Sequence, residues 1–275
     1  MSDSRKSESP KLEKRFGVIP GARRVWAVAS VHGEAERLKK LHGKLLAKLR
    51  DGDRIVYLGN LFGRGADVRG AVDELLGFRC EAMAREPAEE PHVILLRGSQ
   101  EEMWQKLLQL QFATDPRSVL AWMVDQGVGP TLKAYGSSPE DALAEGRRGA
   151  MELTRWTGAL RAAMQKAPGH YELMSALRRA AYTDDNQLLF VNCGLDPSRP
   201  LEAQTDSFWW DSNRFGRISA QYGSFKRIVR GFDLMHPGLV ETAHTLTIDG
   251  GCGFGGPLLA ACLRPSGEVE ELLEA

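Results

Sequence analysis

"VYLGNLFGRGADVRG", residues 56–70, decides how the chain is read. An apolar run ends at Gly59, small and polar residues follow, Arg64 stands between two glycines, and a helical period begins at Val68. Strand, glycine loop, helix is the order in which α/β proteins meet a ligand, at the carboxyl end of a strand. The residue at the head of this loop, Asn60, is an uncharged amide with little affinity for metals.

The same grammar extends outward on both sides. Upstream, "RRVWAVAS" gives a buried strand at Val25–Ala29 that runs into "SVHG", followed by the amphipathic helix "EAERLKKLHGKLLAKLR". "DRIVYL" is the strand that feeds the opening loop, and "DVRGAVDELLGFRCEAMA" is the helix that leaves it. Downstream, "HVILL" ends in "RGSQEE", and "EEMWQKLLQLQF" begins another helix. Residues 115–181 then read as mainly helical, with "GHYELMSALRRAA" as the last helical segment. Strands return at "QLLFVNCGL", and "FKRIVRGF", "AHTLTIDGG" and "PLLAACLRP" predict a second, largely antiparallel sheet. The expected fold class is α/β: a four-layer α/β/β/α sandwich of two mixed sheets, with a helical insertion or cap at 112–181. Residues 1–16 are polar and poor in aromatics, which predicts a disordered tail ahead of one domain at 17–275.

Composition sets limits on function. The 275 residues are 43% hydrophobic and 26% charged, enough for a core that needs no disulfide or structural metal. Lys plus Arg and Asp plus Glu both total 36, so no global field recruits nucleic acid or an anionic membrane. Cys80, Cys193, Cys252 and Cys262 form no CxxC pair and no zinc-ligand spacing, which favours reduced thiols and a cytoplasmic setting. The first residues lack the apolar stretch of a signal peptide, and no run approaches the ~18 apolar residues of a membrane helix, so no membrane insertion is expected.

Taken in order, the loops resemble those of the calcineurin-like metallophosphoesterases, in particular the serine/threonine protein phosphatase group and its bacterial relatives. That family's pattern is GDxHG, GDxxDRG, GNHE, a histidine after a strand, a GH motif, and an aspartate with glycines before a final strand. The corresponding stretches are "ASVHG", "GNLFGRG", "GSQE", "FVNCGLDPSRPL", "VRGFDLMHPG" and "TIDGGCGFGGPLLAACL". The likeness runs from about residue 24 to 264.

The resemblance implies two-metal catalysis, with a dinuclear Mn, Fe or Zn centre activating a water and clamping a phosphate. Its ligands carry over badly. The first aspartate is Ser30, although its histidine is present as His32; the metal-bridging aspartate is Asn60. The third-motif asparagine is Ser99, the leaving-group histidine is Gln100, and the late histidines are Asn192 and Phe232. Only His32 survives from the metal shell. Two dications would concentrate four positive charges with no anionic protein ligand. At an effective dielectric of about 20, each uncompensated pair of unit charges at ~4 Å repels by about 4 kcal/mol. The family's dinuclear site is therefore expected to be lost, and no cofactor is expected.

Other residues carry chemistry without a metal. Arg64 stands where the family grips substrate phosphate, and a guanidinium still binds phosphate bidentately. Asn60, Ser99, Gln100 and Asn192, with Ser30, would surround it as a neutral anion cup, or else form a self-satisfied cluster beside a solvated arginine. His32 is read as a ligand or as a member of that cluster. His236 and His244 are weaker candidates to rebuild a metal site. Asp249 reads as a turn residue, and Asp53 and Asp67 as caps or solvated charges. Trp209 and Trp210 are read as a partner-binding hot spot or as core. No serine or cysteine shows a nucleophile elbow.

The functional expectation is a pseudophosphatase: no catalytic residues, action through a protein partner, and a phosphate or phosphorylated protein held at Arg64. The alternatives are a weak metal-dependent phosphoric monoester hydrolase using His32, and a structural subunit of a larger assembly.

Overall fold

The computed structural model describes residues 15–84 and 93–275. Its strands are β1 (Phe16–Ile19), β2 (Arg24–Val28), β3 (Asp53–Tyr57), β4 (Val93–Leu95), β5 (Ala180–Thr183), β6 (Leu188–Val191), β7 (Arg227–Arg230), β8 (Gly238–Glu241), β9 (Thr245–Asp249), β10 (Leu259–Leu263) and β11 (Val269–Glu274). They form a five-stranded sheet ordered β11-β10-β2-β3-β4 and a six-stranded sheet ordered β1-β5-β6-β7-β9-β8.

Both sheets are mixed. In the first, β2, β3 and β4 run parallel while β10 is antiparallel to β2 and to β11. In the second, β1–β5, β6–β7 and β7–β9 are parallel, and β5–β6 and β8–β9 are antiparallel. Two sequence expectations are corrected. The second sheet is not largely antiparallel, and "PLLAACLRP" leaves it to pair with β2 of the first sheet. Neither partner choice is encoded in the local period, which reports burial and not neighbours.

Alternation along β6 shows the layering. Leu188 and Phe190 join the main core between the sheets, whereas Leu189 and Val191 join a smaller cluster with Phe208, Trp209 and Phe215 on the outer face. Short helices α9 (Ser207–Trp210) and α10 (Ser212–Phe215) cover that face. On the far side, α1 (Ala35–Leu46) and α2 (Val68–Ala84) pack on each other and against the first sheet. Asp67 caps α2, its Oδ1 accepting the Gly70 N–H at 2.8 Å.

Asp53 departs from its reading as a cap or solvated charge. It is buried, accepts from Arg24 Nε at 2.9 Å, from Trp26 Nε1 at 3.1 Å and from the Arg50 N–H at 3.0 Å. A buried carboxylate is tolerated when donors surround it, and this one pins β2 to β3.

After α3 (Ser99–Leu107), the insertion supplies α4 (Pro116–Met123), α5 (Gly129–Ala134), α6 (Pro139–Glu145), α7 (Ala150–Lys166) and α8 (His170–Ala176). Asp115 and Ser138 cap α4 and α6 through Ser118 N–H and Asp141 N–H, each with proline in the first turn. Between α4 and α5 the chain makes a π-helical turn, Val124–Val128, distorted at Gly127 (φ 99°). The stretch read as helical to residue 181 crosses into β5 at Ala180, because pairing with β1 and β6 overrides the helical preference of Ala and Arg. The tail expected at 1–16 lies outside the described residues except for Arg15 and Phe16, and Phe16 opens β1.

No helix among the described residues is long and apolar enough to cross a membrane. The loops that follow β2, β3, β4, β6, β7 and β9 carry Ser30, Asn60, Ser99, Asn192, Phe232 and Phe254.

Candidate functional site

His32 and Asn60 adopt left-handed backbone conformations (φ 54° and 52°), uncommon for residues other than glycine and found where surrounding structure compels them. The compulsion is visible in the backbone. The Val31 and His32 N–H groups both donate to the Asn60 carbonyl, at 3.1 and 2.7 Å, locking the first loop onto the second. The third loop approaches so closely that a Cβ at Gly98 would stand 2.2 Å from Asn60 Oδ1.

The polar positions converge as the motif order implied. Asn60 Nδ2 donates to Ser30 Oγ at 3.2 Å, and Asn60 Oδ1 accepts from Ser99 Oγ and the Gln100 N–H, both at 3.1 Å. Asn192 Nδ2 donates to the Leu58 carbonyl at 2.7 Å, and its Oδ1 accepts the Ser99 N–H at 3.3 Å. Gln100 Nε2 donates to the Gln126 carbonyl at 2.9 Å. All five side chains are buried, and their hydrogen bonds run mainly to one another and to the backbone. Arg64 is outside this network: among the described residues no hydrogen bond or ion pair joins it to any of the five. The anion cup read from sequence therefore divides into a buried amide cluster, in which Gln100 Oε1 has no partner, and a separate guanidinium.

Beneath the cluster lies Glu101, which the sequence reading passed over. Its carboxylate accepts the N–H groups of Gly98 at 2.7 Å, Asn60 at 2.9 Å and Phe62 at 2.9 Å. Burial pushes its pKa up, opposed by those same N–H groups. The signal for it was the glutamate of "GSQE", three residues after a glycine at a helix start, which is a capping position.

His32 sits differently. Both ring nitrogens are buried with no hydrogen-bond partner. The ring meets Phe232 edge-on at 5.6 Å between centroids and Phe254 at 5.4 Å. Burial, then the positive charges of Arg64 and His236, hold its pKa down at about 3. Phe254, also missed by the sequence reading, is the common neighbour: its ring lies 4.1 Å from His236 and 4.4 Å from the Arg64 guanidinium carbon. An aromatic cage with a cationic rim thus stands beside the buried amide cluster.

The donor set does not fit a dinuclear metal centre. Two dications need several anionic oxygens, and among the described residues no group of three or more His, Cys, Asp or Glu side chains gathers to hold a metal ion. The oxygen of Asn60 is already engaged twice, and Phe232 has no lone pair to offer. His236 Nδ1 lies 2.9 Å from Asp249 Oδ2, and that carboxylate also accepts the Asp233 N–H at 2.8 Å and the Gly251 N–H at 2.9 Å. Asp249 departs from its reading as a turn residue: it is the buried last residue of β9, with His236 as a partner. His244 lies at the opposite end of β9 from Asp249 and takes no part.

The proposed tryptophan pair separates. Trp209 is 2% exposed and donates Nε1–H to the Arg97 carbonyl at 2.9 Å, so it is core and leaves the partner-binding set. Trp210 is 43% exposed, its ring 5.6 Å from that of Trp122.

No protein-family model matches the chain, and no curated protein matches it. Solved structures do. One assigned as a diadenosine tetraphosphatase is similar with a TM-score of 0.57 at 17% identity, covering 95% of this chain and 98% of its own. A protein serine/threonine phosphatase from Saccharomyces cerevisiae is similar with a TM-score of 0.50 at 13% identity, covering 96% of this chain and 82% of its own. At such identities the likeness is one of fold alone, the α/β architecture of two mixed sheets described above.

Proposed function

We propose that the protein is a pseudophosphatase: a phosphatase-fold chain without hydrolytic chemistry that acts by binding a protein partner. The observation that carries this reading is the reversal of charge around His32. A dinuclear site gathers carboxylates to hold dications, whereas the groups facing His32 are aromatic rings, Arg64 and His236. With Arg64 beside it and the Asp249 carboxylate taken up by His236 and backbone N–H groups, such a place offers two dications too little negative charge for a dinuclear centre. The anion contact falls to Arg64, since the amide N–H groups are engaged with the Ser30 hydroxyl and with backbone carbonyls. Three of the four cysteines are buried and all are free, which supports a reducing, cytoplasmic setting.

One observation favours a second reading. His32 is buried with no hydrogen-bond partner, so the lone-pair nitrogen of its neutral ring is free as the one protein ligand from which a single-metal phosphoesterase would start. The experiment that separates the two is turnover of a phosphoserine peptide and of p-nitrophenyl phosphate in excess Mn²⁺, with metal content measured on the same sample. The pseudophosphatase reading expects neither turnover nor stoichiometric metal. Turnover that disappears in His32→Asn supports the enzyme.

A further inference from the structure

Arg64 is held still but left without a counter-anion. Phe254 stacks on its guanidinium, and Gly127 packs against the same side chain, where a Cβ would stand 2.6 Å from Cγ and 3.2 Å from Cζ. Much of the rotational freedom of a long side chain is thereby removed before any ligand arrives. Among the described residues the guanidinium makes no ion pair and no hydrogen bond. Burial alone moves its pKa, downward, so no nearby anion holds it up.

Beside Phe254 the surface turns apolar. Leu234 is 64% exposed, Met235 83% and Phe254 42%. The two loops that carry them touch through His236, and Asp249 ties both loops from below through the Asp233 and Gly251 N–H groups. An exposed apolar patch on a fixed support marks an interaction surface, and methionine adapts to varied partners.

We infer that this surface docks a protein partner through an extended segment that sets an anionic side chain on the Arg64 guanidinium and a large apolar side chain across Met235 and Phe254. The inference rests on the reading of the chain as a partner-binding protein and adds the chemistry that the partner presents. Charge complementarity selects the occupant. A guanidinium with free N–H groups suits a planar or tetrahedral oxyanion, a basic segment is repelled, and a free anion leaves the apolar residues uncovered. The anion is the carboxylate of an Asp or Glu in that segment.

The test is selection of displayed 12-residue random peptides on the full chain, against a parallel selection on an Arg64→Ala, Met235→Glu double variant. The expected result is enrichment, on the native chain alone, of Asp or Glu next to a large apolar residue. The best synthetic peptide then loses about tenfold or more in affinity on Arg64→Ala, the loss expected of a charge-assisted pair. It loses comparably on Met235→Glu. Replacing its acidic residue by Asn or Gln is expected to cost as much on the native chain, and unchanged affinity overturns the inference. Enrichment shared by both selections, absence of enrichment, or binding that survives Arg64→Ala overturns the inference. None of these depends on turnover or metal content, so the docking surface and the pseudophosphatase reading fail by different measurements.

Discussion

The carboxylate of Glu101 lies 2.9 Å from the backbone nitrogen of Asn60, at the head of the loop that follows β3. That carboxylate is thus committed to holding backbone, with the Gly98 and Phe62 N–H groups as its other donors. These bonds hold the loop in its shape without any metal. Left-handed backbone at His32 and Asn60 persists because this scaffold is intact.

Glu101→Ala should therefore destabilise the fold more than any single change at the degenerate ligand positions. It orphans three buried N–H groups, at roughly 1–3 kcal/mol for each one that water cannot reach. Urea unfolding checks this: Glu101→Ala is expected to lose several times what Ser30→Ala loses. Equal losses would mean that the loop is held by something else.

Gly127→Ala combines backbone strain at φ 99° with a clash against the Arg64 side chain. The expected cost is about 1–3 kcal/mol, with displacement of the guanidinium from Phe254. A lower unfolding midpoint together with weaker Arg64-dependent peptide binding is the expected pair of observations. An unchanged midpoint would show that Gly127 is not a support for Arg64.

The two adjacent tryptophans should behave unlike each other. Trp209→Ala empties part of the outer core and removes the bond to the Arg97 carbonyl, at about 3–5 kcal/mol. Trp210→Ala is expected to stay within about 1 kcal/mol. Thermal denaturation of the two variants decides it, and similar losses would contradict the assignment of Trp209 to core and Trp210 to surface.

Acid sensitivity has a local source in His42. It is buried between Glu74 (Nδ1–Oε1 2.7 Å) and the Tyr57 hydroxyl (Nε2–O 2.6 Å), stacked on Phe78 at 3.8 Å. Burial lowers its pKa from 6.5 to about 4, and Glu74 only partly restores it. Between those values the unfolded chain binds the proton and the folded chain does not. The stability contributed is fully present above pH 6.5 and is lost as pH falls toward about 4. The slope is about 1.4 kcal/mol per pH unit. His42→Gln should flatten it in urea titrations across this window, and an unchanged slope would assign the effect to other groups.

Local pattern carried the strands that feed the site, because β2, β3 and β4 are apolar runs closed by glycine or polar residues. It also carried the convergence of Ser30, Asn60, Ser99 and Asn192, since motif order fixes which loops meet. It did not carry β1, a four-residue strand beside a polar stretch, whose reason to exist is pairing with β5. Nor did it carry the aromatic cage. Phe232 reads in isolation as a missing ligand, and only the fold brings Phe254, 22 positions later in the sequence, onto His32 and Arg64. The division of the anion cup had the same origin, because hydrogen-bond partners are chosen in three dimensions.

The most direct test of the central claim is metal content by elemental analysis after incubation with Mn²⁺ and Zn²⁺ and exhaustive dialysis, read beside phosphatase turnover. The charge reversal around His32 predicts substoichiometric metal and no turnover above the blank. Two tightly held ions per chain, with turnover that Asn60→Ala abolishes, would contradict it.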